Sequence, residues 1–251
     1  MSVNSYISGL TLSDRNLSPR KPVLGVPRSI KAREVAPPPA AVDVGSVLSF
    51  VDGLTAQERD DVLFSVQLAQ RGASGVYDRF AQVESWYNKY TEILQTIGWV
   101  VEELAFAKHD QSEGELRMDK AALAVISALA TQNQLTILTE GLKALESLAE
   151  NDEPIKLFDF HTSIESSGNF QLGSVEKAGN GAMGMVLGAF HFSADERRRR
   201  ILFFSWGAKK VQFWTAAEKM VLNGTAYANH RNAVMKKLGN TQDYIDDLVL
   251  G

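Results

Sequence analysis

The residues of this chain with reactive or ligating potential lie mostly in its last third. Gly179-Asn-Gly181-Ala-Met-Gly184 fits G-x-G-x-x-G, whose glycines let backbone amides approach a pyrophosphate at the start of a helix. The next segment is a β-like run, the chain has no βαβ alternation, and no acidic residue sits in a strand about 20 residues on. A hairpin turn is therefore the better reading of that segment. The four histidines, His109, His161, His191 and His230, are scattered, and the nearest thing to a ligand pair is Asp159-Phe-His161 on one face of an expected strand. Two side chains on one face do not make a metal site. HExxH and GxSxG are both absent. The expectation is a non-enzyme with no catalytic residue, no metal and no cofactor.

Two other groupings point to binding. Arg197, Arg198, Arg199 and Arg200 come directly after Asp195-Glu196 and adjoin an apolar run. A basic cluster of this kind is drawn to anionic lipid at ~1 kcal/mol per residue, although charges beside an apolar strand also serve as gatekeepers against aggregation. Phe203, Phe204, Trp206, Phe213 and Trp214 crowd large rings into two neighbouring expected strands. Alternate residues of a strand face opposite sides, so these rings are core if both faces are covered and a contact patch if one is bare. The candidate contact residues, for a membrane or a partner protein, are Arg197, Arg198, Arg199, Arg200, Phe203, Trp206, Phe213 and Trp214.

Strands are expected to carry these groups. Met183 to Phe192 and Ile201 to Trp206 are apolar at odd and even positions alike, the mark of strands covered on both faces. Period-two patterning from residue 155 predicts strands at Ile155 to His161, Asn169 to Val175, Met183 to Phe192, Arg200 to Trp206, Lys210 to Trp214 and Lys219 to Leu222. Their short connections imply antiparallel neighbours. Tyr227, Arg231, Val234 and Leu238 then space a last helix closed by Gly239, with Tyr244, Ile245 and Leu248 as a final turn or short helix.

Upstream, helical spacing dominates. Thr55-Ala-Gln-Glu58 is a capping box that starts a helix expected to stop at Gly72. Phe80, Val83, Tyr87, Tyr90, Leu94, Ile97, Val101 and Leu104 keep a 3-4 alternation, which predicts a rod from Val76 to Lys108 of ~50 Å with Gly98 as its weak point. That Phe80 to Leu104 stripe is a bundle seam, or a surface for homo-oligomerisation. Thr131-Gln-Asn-Gln134 is a second capping box, ahead of Leu135, Leu138, Leu142, Leu145 and Leu148. Asn151-Asp-Glu-Pro154 then closes the helical part.

The expected fold is α+β, with an N-terminal long-helix bundle packed on a small C-terminal antiparallel sheet that ends in a helix. Its parts are a disordered, basic Pro/Ser-rich arm (1–43), a helical region (44–152) and a β region with the last helix (153–251). Six of the seven prolines precede residue 40, and residues 1–45 carry six Lys/Arg against three Asp/Glu, whereas the whole chain has a net charge of −4. That balance argues against nucleic acid as a partner. There is no cysteine, which excludes disulfides and thiol chemistry. The opening residues lack the pattern of a secretory signal, and no run of ~18 apolar residues occurs. A soluble protein is expected, secreted without a classical signal or cytoplasmic.

Among function classes the sequence favours interaction over catalysis. The first reading is a membrane-engaging, pore-forming or toxin-like bacterial protein that uses amphipathic helices and the aromatic and basic β module on a lipid bilayer. The alternative is a scaffold or delivered effector that docks a protein partner through its N-terminal arm. A small-molecule or nucleotide-binding enzyme at the Gly179 to Gly184 turn comes third.

Overall fold

The computed structural model describes residues 2–15, 38–108, 115–194, 200–207 and 211–250. Both capping boxes form. The Thr55 hydroxyl accepts the Glu58 N–H at 3.2 Å and the Glu58 carboxylate accepts the Thr55 N–H at 2.8 Å, opening helix α2 (Ala56–Ser74). Thr131 and Gln134 do the same for α5 (Gln132–Ser147). α2 runs through Gly72 to Ser74, and its C-cap is Gly75. It is buried nearly all round, as a helix with no strong apolar face must be if it lies between two layers.

The long rod does not exist. Helix α3 covers Val83–Thr96, and strand β3 covers Trp99–Lys108. Gly98 sits at φ +119°, a conformation open to glycine and strained for other residues, and it turns the chain out of the helix. Beyond it, the backbone from Trp99 to Lys108 pairs with a partner strand, and that pairing outweighs the helical spacing, which Val101 and Leu104 match by coincidence. Tyr87, Tyr90, Leu94 and Ile97 are buried within the chain, so these four offer no free seam to a second copy.

Five other expectations are corrected, the one for the arm only in part because its residues 16–37 lie outside the described residues. The Ile155 to His161 strand is helix α6 (Glu153–Thr162), because Asp-Glu-Pro begins a helix here, with Pro in its first turn. Arg200 to Trp206 is mostly a turn, with Arg200 at φ +54° and strand β8 limited to Ser205–Gly207. Lys210 to Trp214 and Lys219 to Leu222 belong to one strand, β9 (Val211–Leu222). The arm is in part ordered: α1 (Val3–Gly9) buries Ile7, and Ala40–Asp43 is strand β1. The region 44–152 is likewise not purely helical, since it holds β2 (Ser46–Phe50), β3 and β4 (Glu115–Arg117).

The remaining elements are α4 (Met118–Ile126), β5 (Ser163–Ile164), β6 (Ser167–Lys177), β7 (Met183–Ala194), α7 (Gly224–Ala228) and α8 (Arg231–Leu238), two helices in place of the one expected, and β10 (Ile245–Leu248), a strand paired with β1 in place of the expected final turn or short helix. The fold is α+β, but its sheet is neither small nor purely antiparallel. Eight strands run in the order β10-β1-β2-β6-β7-β9-β3, with β5 paired to β6, and β2 lies parallel to β6. A two-stranded ribbon joins β4 to β8. One face of the large sheet carries α1, α2, α3 and α8, and the other carries α4, α5 and α6. β7 is covered on both sides, as its continuous apolar run requires: Met183, Met185 and Leu187 enter the first core, and Val186, Phe190 and Phe192 the second.

Candidate functional site

Strands β6, β7, β9 and β3 form an antiparallel meander of 11, 12, 12 and 10 residues. Its two faces differ in chemistry. Toward α4, α5 and α6 it presents Phe170, Leu172, Val186, Phe190 and Phe192, all buried. Phe170 stacks on Phe190 with centroids 5.1 Å apart. The opposite face mixes apolar residues with Asn169, Gln171 and Glu218, also buried. Burial raises the Glu218 carboxyl above its usual range, while hydrogen bonds from Tyr87 and Thr91 pull it back.

The cover of the apolar face is tied down along its margin. The backbone N–H of Arg200 donates to Asp159 Oδ2 of α6 at 3.0 Å, and its guanidinium donates to the Glu146 carbonyl of α5. Arg117 pairs with Asp119 of α4 and Glu146 of α5, both at 2.9 Å. Between the two arginines lies the Phe203 ring, 5.7 Å from the Arg200 guanidinium carbon and 6.0 Å from that of Arg117. Trp206, 5% exposed, packs against Phe192 at 5.5 Å. At the other end Gln134 of α5 donates to the carbonyls of Ser174 and Gly184, each at 3.2 Å.

The structure therefore brings Arg200, Phe203 and Trp206 together as a clasp on α4, α5 and α6. Trp206 is core here rather than part of an exposed aromatic surface. Trp214 is on the other face, half-buried and edge-on to Tyr87 at 5.8 Å, so the rings are divided between two cores. Phe213 pairs by register with Phe192 of β7. Arg197, Arg198 and Arg199 lie outside the described residues, as does His109.

The Gly179 to Gly184 segment is the β6–β7 turn. Ala178 donates its N–H to the Ala182 carbonyl at 2.8 Å and Gly181 has φ +83°. A strand comes after it, so its amides do not open a helix. Asp159 and His161 are two apart on a helix and serve different surroundings: Asp159 accepts Arg200, while His161 is 4% exposed with its ring 6.0 Å from that of Tyr244. No group of three or more metal-ligating side chains occurs among the described residues.

A feature with no signature in the sequence is a cavity of about 140 Å³ between the C-terminal end of α2, the loop before α3, and α6. Arg15, Arg71, Arg79 and His161 line it. Burial, reinforced by those three arginines, lowers the His161 imidazole to about 3. These residues are far apart in the chain, and no spacing rule gathers them.

No family model and no curated protein matches the chain. Among solved structures it is similar to a delta-endotoxin, with a TM-score of 0.39 and 12% identity over 81% of this chain and 89% of that one. It is also similar to the activated Cyt2Ba monomer of Bacillus thuringiensis subsp. israelensis, with a TM-score of 0.43 and 10% identity over 72% of this chain and 97% of that one. The Evf virulence factor is similar with a TM-score of 0.35 and 9% identity, over 84% and 88%.

Proposed function

We propose that this chain is a non-enzymatic, membrane-engaging protein of the pore-forming, toxin-like kind, in which α4, α5 and α6 lift from the sheet and the meander meets the bilayer. The observation that carries this reading is the meander itself. A membrane-spanning β-strand needs about 9–11 residues, and β3, β6, β7 and β9 have 10, 11, 12 and 12. On β6 and β7 one face is apolar, with Phe170, Leu172, Val186, Phe190 and Phe192, and the other is mixed, the alternation that places lipid on one side and polar groups on the other; on β9 the first face also carries Thr215 and Lys219. Among the described residues no helix is long and apolar enough to cross a membrane, so strands are the elements assigned to that task. Arg197, Arg198, Arg199 and Arg200 then have a role as first contact with anionic lipid, since the basic segment adjoins the clasp that holds the cover.

A staple tests this directly. A Cβ built on Gly141 of α5 lies 3.8 Å from the Ser49 Cβ of β2, the separation of a disulfide. The chain has no cysteine, so a Gly141→Cys/Ser49→Cys variant has one possible bridge. On phosphatidylcholine/phosphatidylserine vesicles the unmodified protein should release trapped dye, the oxidised variant should not, and dithiothreitol should restore release. Absence of both binding and release by the unmodified protein would remove the reading and leave the effector alternative in its place. Release undiminished in the oxidised variant would show that α5 stays on the sheet.

A further inference from the structure

Arg79 is a buried cation whose hydrogen-bond partners are neutral. It is 6% exposed, and its Nη2 donates to the Asn169 carbonyl at 3.0 Å and to Gln171 Oε1 at 3.2 Å. Its Nε has no acceptor among the described residues, and no carboxylate there pairs with it within 4.0 Å. Trp86 lies under the guanidinium at 4.7 Å. Gly45 makes the space for it, since a Cβ there would stand 2.8 Å from both terminal nitrogens. Burying a charge without a counter-ion is costly, and a fold that keeps one leaves room for a partner of opposite sign.

The cavity above Arg79 supplies that room. At about 140 Å³ it holds roughly four to five waters at ~30 Å³ each, which matches one small oxyanion. Two further guanidinium groups reach it. Arg15, at the mouth, is steadied by the Phe160 carbonyl at 2.9 Å and by the Phe160 ring at 4.8 Å. Arg71 is anchored on the carbonyls of Ser13 and Leu238, and its ion-pair partner Asp14, at 3.7 Å, is 95% exposed. Asp78 is the only acid lining the cavity among the described residues, and its Oδ1 already accepts the N–H groups of Phe80 at 2.7 Å and Ala81 at 2.8 Å. Burial, and then the adjacent Arg15, lower the Arg79 guanidinium to about 9, while Tyr90 and Asp78 pull it back in part.

We propose that the cavity formed by Arg15, Arg71 and Arg79 is a binding site for a single phosphate-type oxyanion, either free phosphate or the phosphomonoester head of a lipid. Three arginines lining one small space, with the Arg79 Nε lacking an acceptor among the described residues, suit a tetrahedral anion with several acceptor oxygens better than a monatomic one. The site lies at the C-terminal end of α2 and is closed by Phe160 and His161 of α6; phosphate binding by the full chain in solution is measured without a bilayer, so its failure and that of bilayer insertion are distinguishable.

Calorimetry of the full chain against inorganic phosphate, in chloride buffer at constant ionic strength, should give saturable binding of one anion per chain and a raised Tm. Arg15→Gln, at the exposed mouth, should weaken binding about tenfold, and Arg79→Gln should abolish it. If Arg79→Gln does not fold, Arg15→Gln decides alone. Phosphatidylcholine vesicles with and without phosphatidic acid separate the two sources. Capture by phosphatidic acid that depends on Arg15 and Arg79, without binding of free phosphate, would assign the site to a lipid head. No response to either probe, or a response unchanged in both variants, would overturn the proposal.

Discussion

The two helical layers of this protein are fastened to the same sheet by different means. On one face, α2 and its neighbours are joined to the sheet and to one another by buried polar groups. Gln70 accepts the Gly45 N–H at 3.0 Å and donates to the Asp43 carbonyl at 2.9 Å; Arg79 reaches Asn169; Arg231 of α8 grips Asp61 of α2 through two bonds of 2.7 and 2.6 Å. On the other face, α4, α5 and α6 rest on apolar side chains. Their polar ties are Gln134 at one end, where Thr131 and Asn133 also donate to the Glu176 carboxylate of β6 at 2.6 and 2.9 Å in exposed bonds, and a partly exposed clasp of Arg117, Arg200 and Glu146 at the other. Apolar contact is non-directional and can be exchanged for contact with lipid, whereas a buried hydrogen bond broken without replacement costs its full desolvation penalty. The first layer is therefore bolted on, and the second is held by interactions that a bilayer could replace.

This contrast can be broken most severely at the N-terminus. Deleting residues 1–43 removes α1 and β1, and β1 lies between β10 and β2 in the sheet. Loss of cooperative thermal unfolding is expected by calorimetry; a shift of only a few degrees would mean that the first layer is not fastened as described. Next in size is Asp61→Ala, which strands Arg231. About 3 kcal/mol should be lost in urea denaturation, the low end of the range for breaking a buried pair because Arg231 is 28% exposed.

Acid should act where α6 meets the first layer, through His161. Its folded pKa is lowered to about 3 from an ordinary 6.5, so the unfolded chain takes up the proton first and stability falls as pH drops from about 6.5 toward 3. His191, lowered by burial, acts in the same direction. His161→Gln should flatten the dependence of Tm on pH across that window, and an unchanged slope would place its origin elsewhere. The smallest effect belongs to the clasp. Glu146→Gln, which removes the partly exposed ion pair with Arg117, should cost about 0.2–1 kcal/mol, yet speed amide exchange in α4 and α5 while leaving α2 unchanged. Equal acceleration in both layers would erase the distinction between them.

Local signals in the chain proved readable where the physics is local. Thr55 and Glu58, Thr131 and Gln134, and Gly239 mark helix ends because each cap closes within three or four residues. Met183 to Phe192 reads as a doubly covered strand because apolar residues occupy both of its faces, whatever covers them. Local patterns mislead where they have two solutions. The 3-4 spacing of Phe80 to Leu104 fits a helix throughout, but Gly98 permits an exit and β9 offers Trp99 onward a ladder of backbone hydrogen bonds. Ile155 to His161 alternates well enough for a strand, but Pro154 in a first turn and the apolar side chains of β6 favour a helix.

Residues close together in the chain are enough to specify the capped helix starts, the apolar strands at the centre of the sheet, the hairpin at Gly179 to Gly184 and the absence of cysteine chemistry. Which face each ring occupies is a matter of tertiary structure, and it sends Trp206 and Trp214 into different cores. The same long-range packing gathers Arg15, Arg71, Arg79 and His161 around one cavity and leaves the Arg79 guanidinium without an acidic partner among the described residues. Both outcomes depend on the order β10-β1-β2-β6-β7-β9-β3, in which strands distant in sequence become neighbours. Such pairing is selected by the free energy of burying the two faces of the sheet together, a property of the whole chain that no single stretch of it carries.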